Sequence, residues 1–520
     1  MTAPETTPTA APASEEGSGK ELKTFAKTGL VTLAGSILSA AAGFAITLVV
    51  ARTLGAAEAG VFFIVVAIFM ILSEITELGA DTGLVRTAAR LKALGRISAL
   101  RKVVVSAMVP VLLLSALTAA AVVALAPWLA SLFAEPRYHD VAVLFLYCAA
   151  PFLAVSAGRQ VALSGTRGLG DLTAYTVINV AMPVARPVLA LAVFALGLGS
   201  GAVMLAWSVP VGLTFLAAVF VLWRLLRRAE AGAPPDPPAE PGERPVLREF
   251  WGFSAARGVA ATIEIAIVWL NVLVVGAMVS NHDAGVYATA SRFITSGTLV
   301  LAATRIAVAP QIAALLATKD YKVAERLNAV ATGWVVAASW PLYLALACFG
   351  PVVLTLFGED FTGGDGALAI LALAMLIVLA AGNVQTVLLM GGKSSWSLYN
   401  KIAALAVNVV LNVLLVPVYG IEGAAVAWAA AYLVDTLAAA VQVRYGLRLR
   451  LGLRTFALPA LGAVFWFGVV GVVFRITAEP TGGAFAAYLV VACAGFGLTL
   501  WRGRRSLHVD ELLQAIRKRK

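Results

Sequence analysis

Residues 48–62 read LVVARTLGAAEAGVF, and residues 273–287 read LVVGAMVSNHDAGVY. Across this offset of 225 residues six of fifteen positions are identical, and Glu58 with Asp283 and Phe62 with Tyr287 match in chemistry. Each stretch closes one long apolar run and opens the next, so each is the turn between an outgoing and a returning span. A fainter echo sets Ala206-Trp207 against Ala427-Trp428 at an offset of 221 residues. The repeat predicts two similar halves of the same orientation, related by an axis along the membrane normal, with a central cavity between them. Halves so related can rock between inward and outward openings, which is the mechanics of alternating access.

The composition fits a chain that lives in lipid. Of 520 residues 61% are apolar and 13% charged, whereas soluble domains are nearer half apolar and a quarter charged. At roughly 20 residues per span there is room for a dozen or more helices but not for a large soluble domain, which excludes most enzymes. Apolar runs of span length lie between residues 28 and 501, and they number about fourteen. The expected fold is an all-α polytopic membrane protein with two pseudo-repeated six-helix bundles, residues 25–228 and 250–445, and two additional transmembrane helices in 455–502. Residues 1–24, rich in Thr, Pro, Ala and Glu, read as a disordered tail. Residues 229–249, containing AGAPPDPPAEPGERP, read as an extended linker, and residues 503–520 as a basic amphipathic tail on the lipid surface.

Starting the first span from the inside places 32 of the 39 Lys and Arg residues in inner segments and three in outer connections. Basic loops stay in the cytoplasm, so both termini are expected there. Cys148, Cys348 and Cys493 sit in separate apolar runs and read as small buried hydrophobes. His139, His282 and His508 do not cluster, so neither a metal nor a cofactor is expected, and no nucleic-acid partner either.

An arginine near mid-span costs about 2.5–3.5 kcal/mol, so each one needs a reason. In the run 252–279, Arg257, Glu264 and Asn271 recur every seven residues, along one slowly drifting helix face. Glu264 lies about 20 Å along that helix, beyond reach of either interface. The stripe either lines a cavity or pairs with a neighbouring helix. In the run 285–316, Arg305 follows Ser291, Thr295 and Thr298 at helical spacing, while Arg292 sits on an adjacent face near the outer end, where it can snorkel. In the run 172–196, Arg186 stands between Pro183 and Pro187, whose freed carbonyls are tolerated only inside protein or at water. Arg186, Arg257, Arg305, Arg292 and Asn271 are therefore the expected cavity residues. Glu74, Glu77 and Asp81 form one carboxylate face, read first as helix termination paired with Arg86 or Arg90 and second as proton handling. Lys401 and Asp435 are expected partners across helices, and Glu264, Glu74, Glu77 and Asp435 are the candidates for ion coupling. Asn383, Gln385, Asn408 and Asn412 read as interhelical glue. A cavity lined by guanidinium groups selects anions, phosphates above all, because the planar fork offers two aligned hydrogen bonds.

TLVVARTLGAAEAGVFFI from Thr47, ELGADTGLVRTAAR from Glu77, AGVYATASRF from Ala284 and YGIEGAAVAW from Tyr419 resemble the polysaccharide transporter family of oligosaccharide flippases. That family belongs to the superfamily which also holds multidrug and toxin extruders and peptidoglycan-precursor flippases. The resemblance implies a transporter, not an enzyme, in a bacterial plasma membrane. Its cargo would be an oligosaccharide on a polyprenyl pyrophosphate carrier, turned from the inner to the outer leaflet for cell-surface polysaccharide biosynthesis. Membrane lipids, and a glycan polymerase or glycosyltransferases of the same pathway, would be its partners, and the last two spans would lie beside the lipid entrance. An inside-negative potential favours export of negative charge by about 2.3 kcal/mol per charge per 100 mV. The alternative within the superfamily is a proton- or sodium-coupled extruder of organic cations, in which carboxylates would dominate the cavity.

Overall fold

The computed structural model describes residues 15–231, 245–450, 452, 456–479 and 481–502, the side chains of 15–33, 296, 306, 307 and 310 excepted. Most of the expected tail at 1–24, the linker at 229–249 and the basic tail at 503–520 lies outside the described side chains or residues. Among the described residues the chain is helical, with no strand. Its principal helices are α1 (Glu15–Glu77), α2 (Ala80–Ala93), α3 (Ser98–Phe133), α4 (His139–Gly168), α5 (Leu172–Ala195), α6 (Ser200–Ala231), α7 (Val246–Met278) and α8 (Asn281–Ala317). They continue with α9 (Tyr321–Leu354), α10 (Asp365–Ala380), α11 (Val384–Met390), α12 (Ser394–Val441), α13 (Ala457–Ala463), α14 (Val470–Thr477) and α15 (Gly482–Arg502).

Eleven helical stretches among the described residues are long and apolar enough to cross a membrane. They are fewer than the apolar runs because α1 and α12 each join two runs end to end, and another run lies in α8, which is described only in part. The 63 residues of α1 would extend over about 95 Å at 1.5 Å per residue, some three times the hydrocarbon thickness. The helix is in fact broken at Gly55 (φ 71°, ψ 172°), and α12 is broken at Gly420 (φ 54°, ψ −130°). Only glycine enters such backbone freely. At the 225-residue offset, Gly55 falls on Ser280, the extended residue that separates α7 from α8 and caps α8 by accepting from the Asp283 N–H. Chain turns therefore sit at matching places in the repeat.

The turns meet each other. A Cβ built on Gly60 would lie 1.7 Å from the Asn281 carbonyl oxygen, and one on Gly285 would lie 2.1 Å from that of Ala56. Each glycine of the repeated AGVF and AGVY thus abuts the carbonyl four residues before its counterpart, a contact symmetric under the offset. Around it, Arg52 donates from Nε to Leu356 O (2.8 Å) and from Nη2 to Thr355 O (3.0 Å), satisfying carbonyls just past the end of α9. The Glu135 N–H donates to Asn281 Oδ1 (2.7 Å), and the Asn281 N–H returns a bond to Glu135 Oε1 (3.1 Å).

The buried apolar side chains divide in the same sense. At the end carrying these turns one continuous core runs through α1, α3, α4 and α6 and on into α7 to α10 and the second arm of α12. At the end carrying the basic connections the cores are separate, one built from α2 to α6 with the start of α7, the other from α8, α9, α11 and α12. There α7 reaches α2: Gly79 and Gly258 are in backbone contact, Arg90 Nη1 donates to Glu249 (2.6 Å), and Trp251 Nε1 donates to Ser106 Oγ of α3 (3.1 Å). The last three helices pack on α9 through Cys348, Phe349, Phe467 and Tyr488. A π-helical stretch, Val464–Val469, joins α13 to α14, and its Phe467 carbonyl accepts from the Tyr488 hydroxyl (2.7 Å).

Candidate functional site

Within the second half, α7, α8, α10, α11 and α12 line a cavity of about 360 Å³ to which the described residues of the first half contribute no lining residue, a volume within the usual range for ligand sites. Its charged residues are Arg257, Glu264, Arg305, Lys401 and Asp435. Thr298, Met375 and Tyr432 also line an adjoining pocket of about 140 Å³ that holds Arg292, Trp269 and Tyr287. Arg292 and Arg305 are thirteen positions apart on α8, about 20 Å along its axis, so the paired cavities form a column running inward from the basic end.

Two kinds of charge share this wall. Lys401 Nζ lies 3.1 Å from Glu264 Oε2 and 4.0 Å from Asp435 Oδ2, with the lysine side chain only 13% exposed. The expected Lys401–Asp435 pair thus becomes a triad with Glu264 nearer. Gln385 donates to the Asp435 backbone carbonyl (3.3 Å) and receives from Ser397 Oγ (3.4 Å). The lysine therefore takes both carboxylates. Among the described residues Arg257 and Arg305 have no hydrogen bond or ion pair, and both face the cavity. Ser291, Thr295 and Thr298 donate to carbonyls three residues back on their own helix, a common local bond that leaves their oxygens as acceptors. Arg292 stacks over Trp269 at 4.5 Å, an aromatic contact in place of snorkelling.

Asn271 and Arg186 lie outside the linings of both pockets. The seven-residue stripe drifts about 20° per repeat, and by its third member it has turned from the cavity into the packing with α12. There Asn271 is fully buried, its Oδ1 accepting from Asn412 (2.8 Å) and Asn408 (3.3 Å). Those two asparagines are the glue expected of them. Arg186 donates from Nε to Trp207 O (2.9 Å) and lies over the Trp207 ring at 4.0 Å, which satisfies a guanidinium without a carboxylate. Glu74, half-buried, and Glu77, buried, do not line the cavity. Arg86 and Arg90, expected to serve that carboxylate face, reach Glu249 of α7.

One residue escapes the sequence reading. Arg159 of α4 is 6% exposed, with Nε and Nη1 lacking a hydrogen-bond partner and the buried Glu77 as the carboxylate acting on it. Lying four residues before the end assigned to its run, it reads as a connection charge. Beside it a cavity of about 280 Å³ is lined by Asp81, Arg86, Gln160, Arg167, Tyr175 and Phe253.

Against known proteins, the sequence family described as polysaccharide biosynthesis protein matches residues 49–364. A curated relative, the probable low-salt glycan biosynthesis flippase Agl15 of Haloferax volcanii, is 25% identical over 180 residues, covering 32% of this chain. The chain spans 36% of that relative's length. The fold is similar to a solved lipid II flippase MurJ in an inward closed conformation, with TM-score 0.66 and 12% identity over 92% of this chain and 99% of that one. It is also similar to an inward-facing multidrug resistance MATE family transporter of the MOP superfamily, with TM-score 0.63 and 16% identity over 81% and 97% of the two chains.

Proposed function

The chain belongs to the polysaccharide biosynthesis protein family, and from that premise we propose that it turns a polyprenyl-pyrophosphate-linked oligosaccharide from the inner to the outer leaflet. The observation that carries this reading is the pair of guanidinium groups, Arg257 and Arg305, which line the cavity without a hydrogen bond or ion pair among the described residues, while its carboxylates Glu264 and Asp435 lie at Lys401. Such a wall accepts a diphosphate. Separate cores at the basic end and a shared core at the other suit a carrier loaded from the side of the basic loops. On the positive-inside rule that side is the cytoplasm, with both termini there and the protein in a bacterial plasma membrane. The symmetric glycine contact supports two six-span halves, fourteen spans in all with the last pair, moving by alternating access. A pathway polymerase or glycosyltransferase would then be its functional partner.

The test is binding of a polyprenyl pyrophosphate to the protein in nanodiscs. A hydrogen bond to a charged group is worth about 1.5–3 kcal/mol, so Arg257→Ala and Arg305→Ala should each weaken binding by about 10- to 150-fold. Unchanged affinity in both variants would overturn the proposal. A second reading, an extruder of organic cations, is favoured by the half-exposed Glu264 and by the stacked Trp428–Tyr432 rings (4.1 Å). On that reading Glu264→Gln would abolish cation binding while the arginine variants kept it.

A further inference from the structure

We infer that Lys401 is the resident counter-cation of the cavity: its ammonium fills the place between Glu264 and Asp435 that an exchangeable monovalent cation would otherwise take. The three groups come from separate helical arms, Glu264 on α7, Lys401 before the Gly420 break of α12 and Asp435 after it. With Lys401 Nζ at 3.1 and 4.0 Å from the two carboxylates, their nearest oxygens stand no more than about 7 Å apart. Asp435 is largely buried and Glu264 half-exposed, and the repulsion between two carboxylates so close is relieved by a cation placed between them. An ammonium is a compact point charge suited to that position, unlike the broad guanidinium fork. The surrounding groups would also suit a hard ion. Gln385, Ser397 and Thr436 bring neutral oxygens to the same wall, and Asp435 Oδ1 is buried without a hydrogen-bond partner. The lysine thus performs by tether what Na+ or K+ would do by diffusion.

The geometry stands independently of the cargo; the consequence, that an anionic headgroup is handled with no requirement for inorganic cations, rests on the proposed function. Wild type and Lys401→Ala in nanodiscs would be melted in NaCl and in N-methyl-D-glucamine chloride at equal ionic strength. The wild type should melt at the same temperature in both, whereas Na+ should raise the melting temperature of Lys401→Ala by at least about 2 °C by binding the vacated position. A wild type stabilised by Na+ as strongly as the variant, or a folded Lys401→Ala indifferent to Na+, would overturn the inference. Should Lys401→Ala not fold, Lys401→Met replaces it, and the wild-type comparison decides alone if neither folds. Inorganic pyrophosphate titrated into wild type and Arg305→Ala tests the anionic cargo separately. A wild type that ignores pyrophosphate defeats the cargo reading and leaves the cation result standing.

Discussion

Gly60 and Gly285 show how a single hydrogen in place of a methyl can set the approach of two helices. The opposing carbonyls leave no space for a Cβ at either position, while nothing lies within 4 Å of one placed on Gly43. Overpacking costs about 1–3 kcal/mol, so Gly285→Ala should lower the melting temperature by several degrees and Gly43→Ala should leave it unchanged, as read in a thermal melt. The repeated turns that hold this pair were legible in the sequence, but the contact between their glycines was not, because it depends on how the two turns pack. Arg159 was not legible. Hydropathy reports whether a helix partitions into lipid, not which of its residues is buried among other helices, and a basic residue near a run's end looks the same whether it faces headgroups or protein. For Arg186 the flanking prolines announced burial, but not its partners, a backbone carbonyl and an indole on α6, twenty-one residues away.

At the scale of elements, the breaks in α1 and α12 decide where arms begin. Gly420, with φ 54° and ψ −130°, lies where L side chains are strained by about 1–3 kcal/mol. Gly420→Ala should therefore reduce thermal stability more than Gly392→Ala, which also has positive φ (75°) but ends a short exposed turn; the two melting temperatures compared in one nanodisc preparation check this. The runs themselves were readable from the sequence, since twenty apolar residues in a row permit few structures. Their joining into α1 and α12 was not, because a glycine turn and a continuous helix have the same hydropathy. Of the seven-residue stripe on α7, Arg257 and Glu264 line the larger cavity, while at Asn271 accumulated drift and two facing asparagines turn the side chain into the packing with α12.

At the scale of the whole molecule, the halves close over a shared core at the end carrying the repeated turns, whereas at the basic end the cores divide and the start of α7 bridges them. Glu135 and Asn281 exchange hydrogen bonds across that closure. A disulfide formed between Glu135→Cys and Asn281→Cys should hold it shut and stop glycan export, with recovery on reduction; export unaffected by the cross-link would show that this end need not part. The two-half plan was visible in the repeated turns, while the direction of opening depends on side-chain packing that composition does not encode.

The lysine between two carboxylates has an electrical consequence. Arg257, Arg305 and Lys401 against Glu264 and Asp435 leave the larger cavity with one formal positive charge. On the proposed function, a doubly negative headgroup would reverse that sign, so the occupied carrier would move outward as a net anion and the vacated one would reset as a net cation. An inside-negative voltage would then favour both strokes of that proposed cycle, by up to about 2.3 kcal/mol per charge for each 100 mV crossed, making turnover electrogenic in each half.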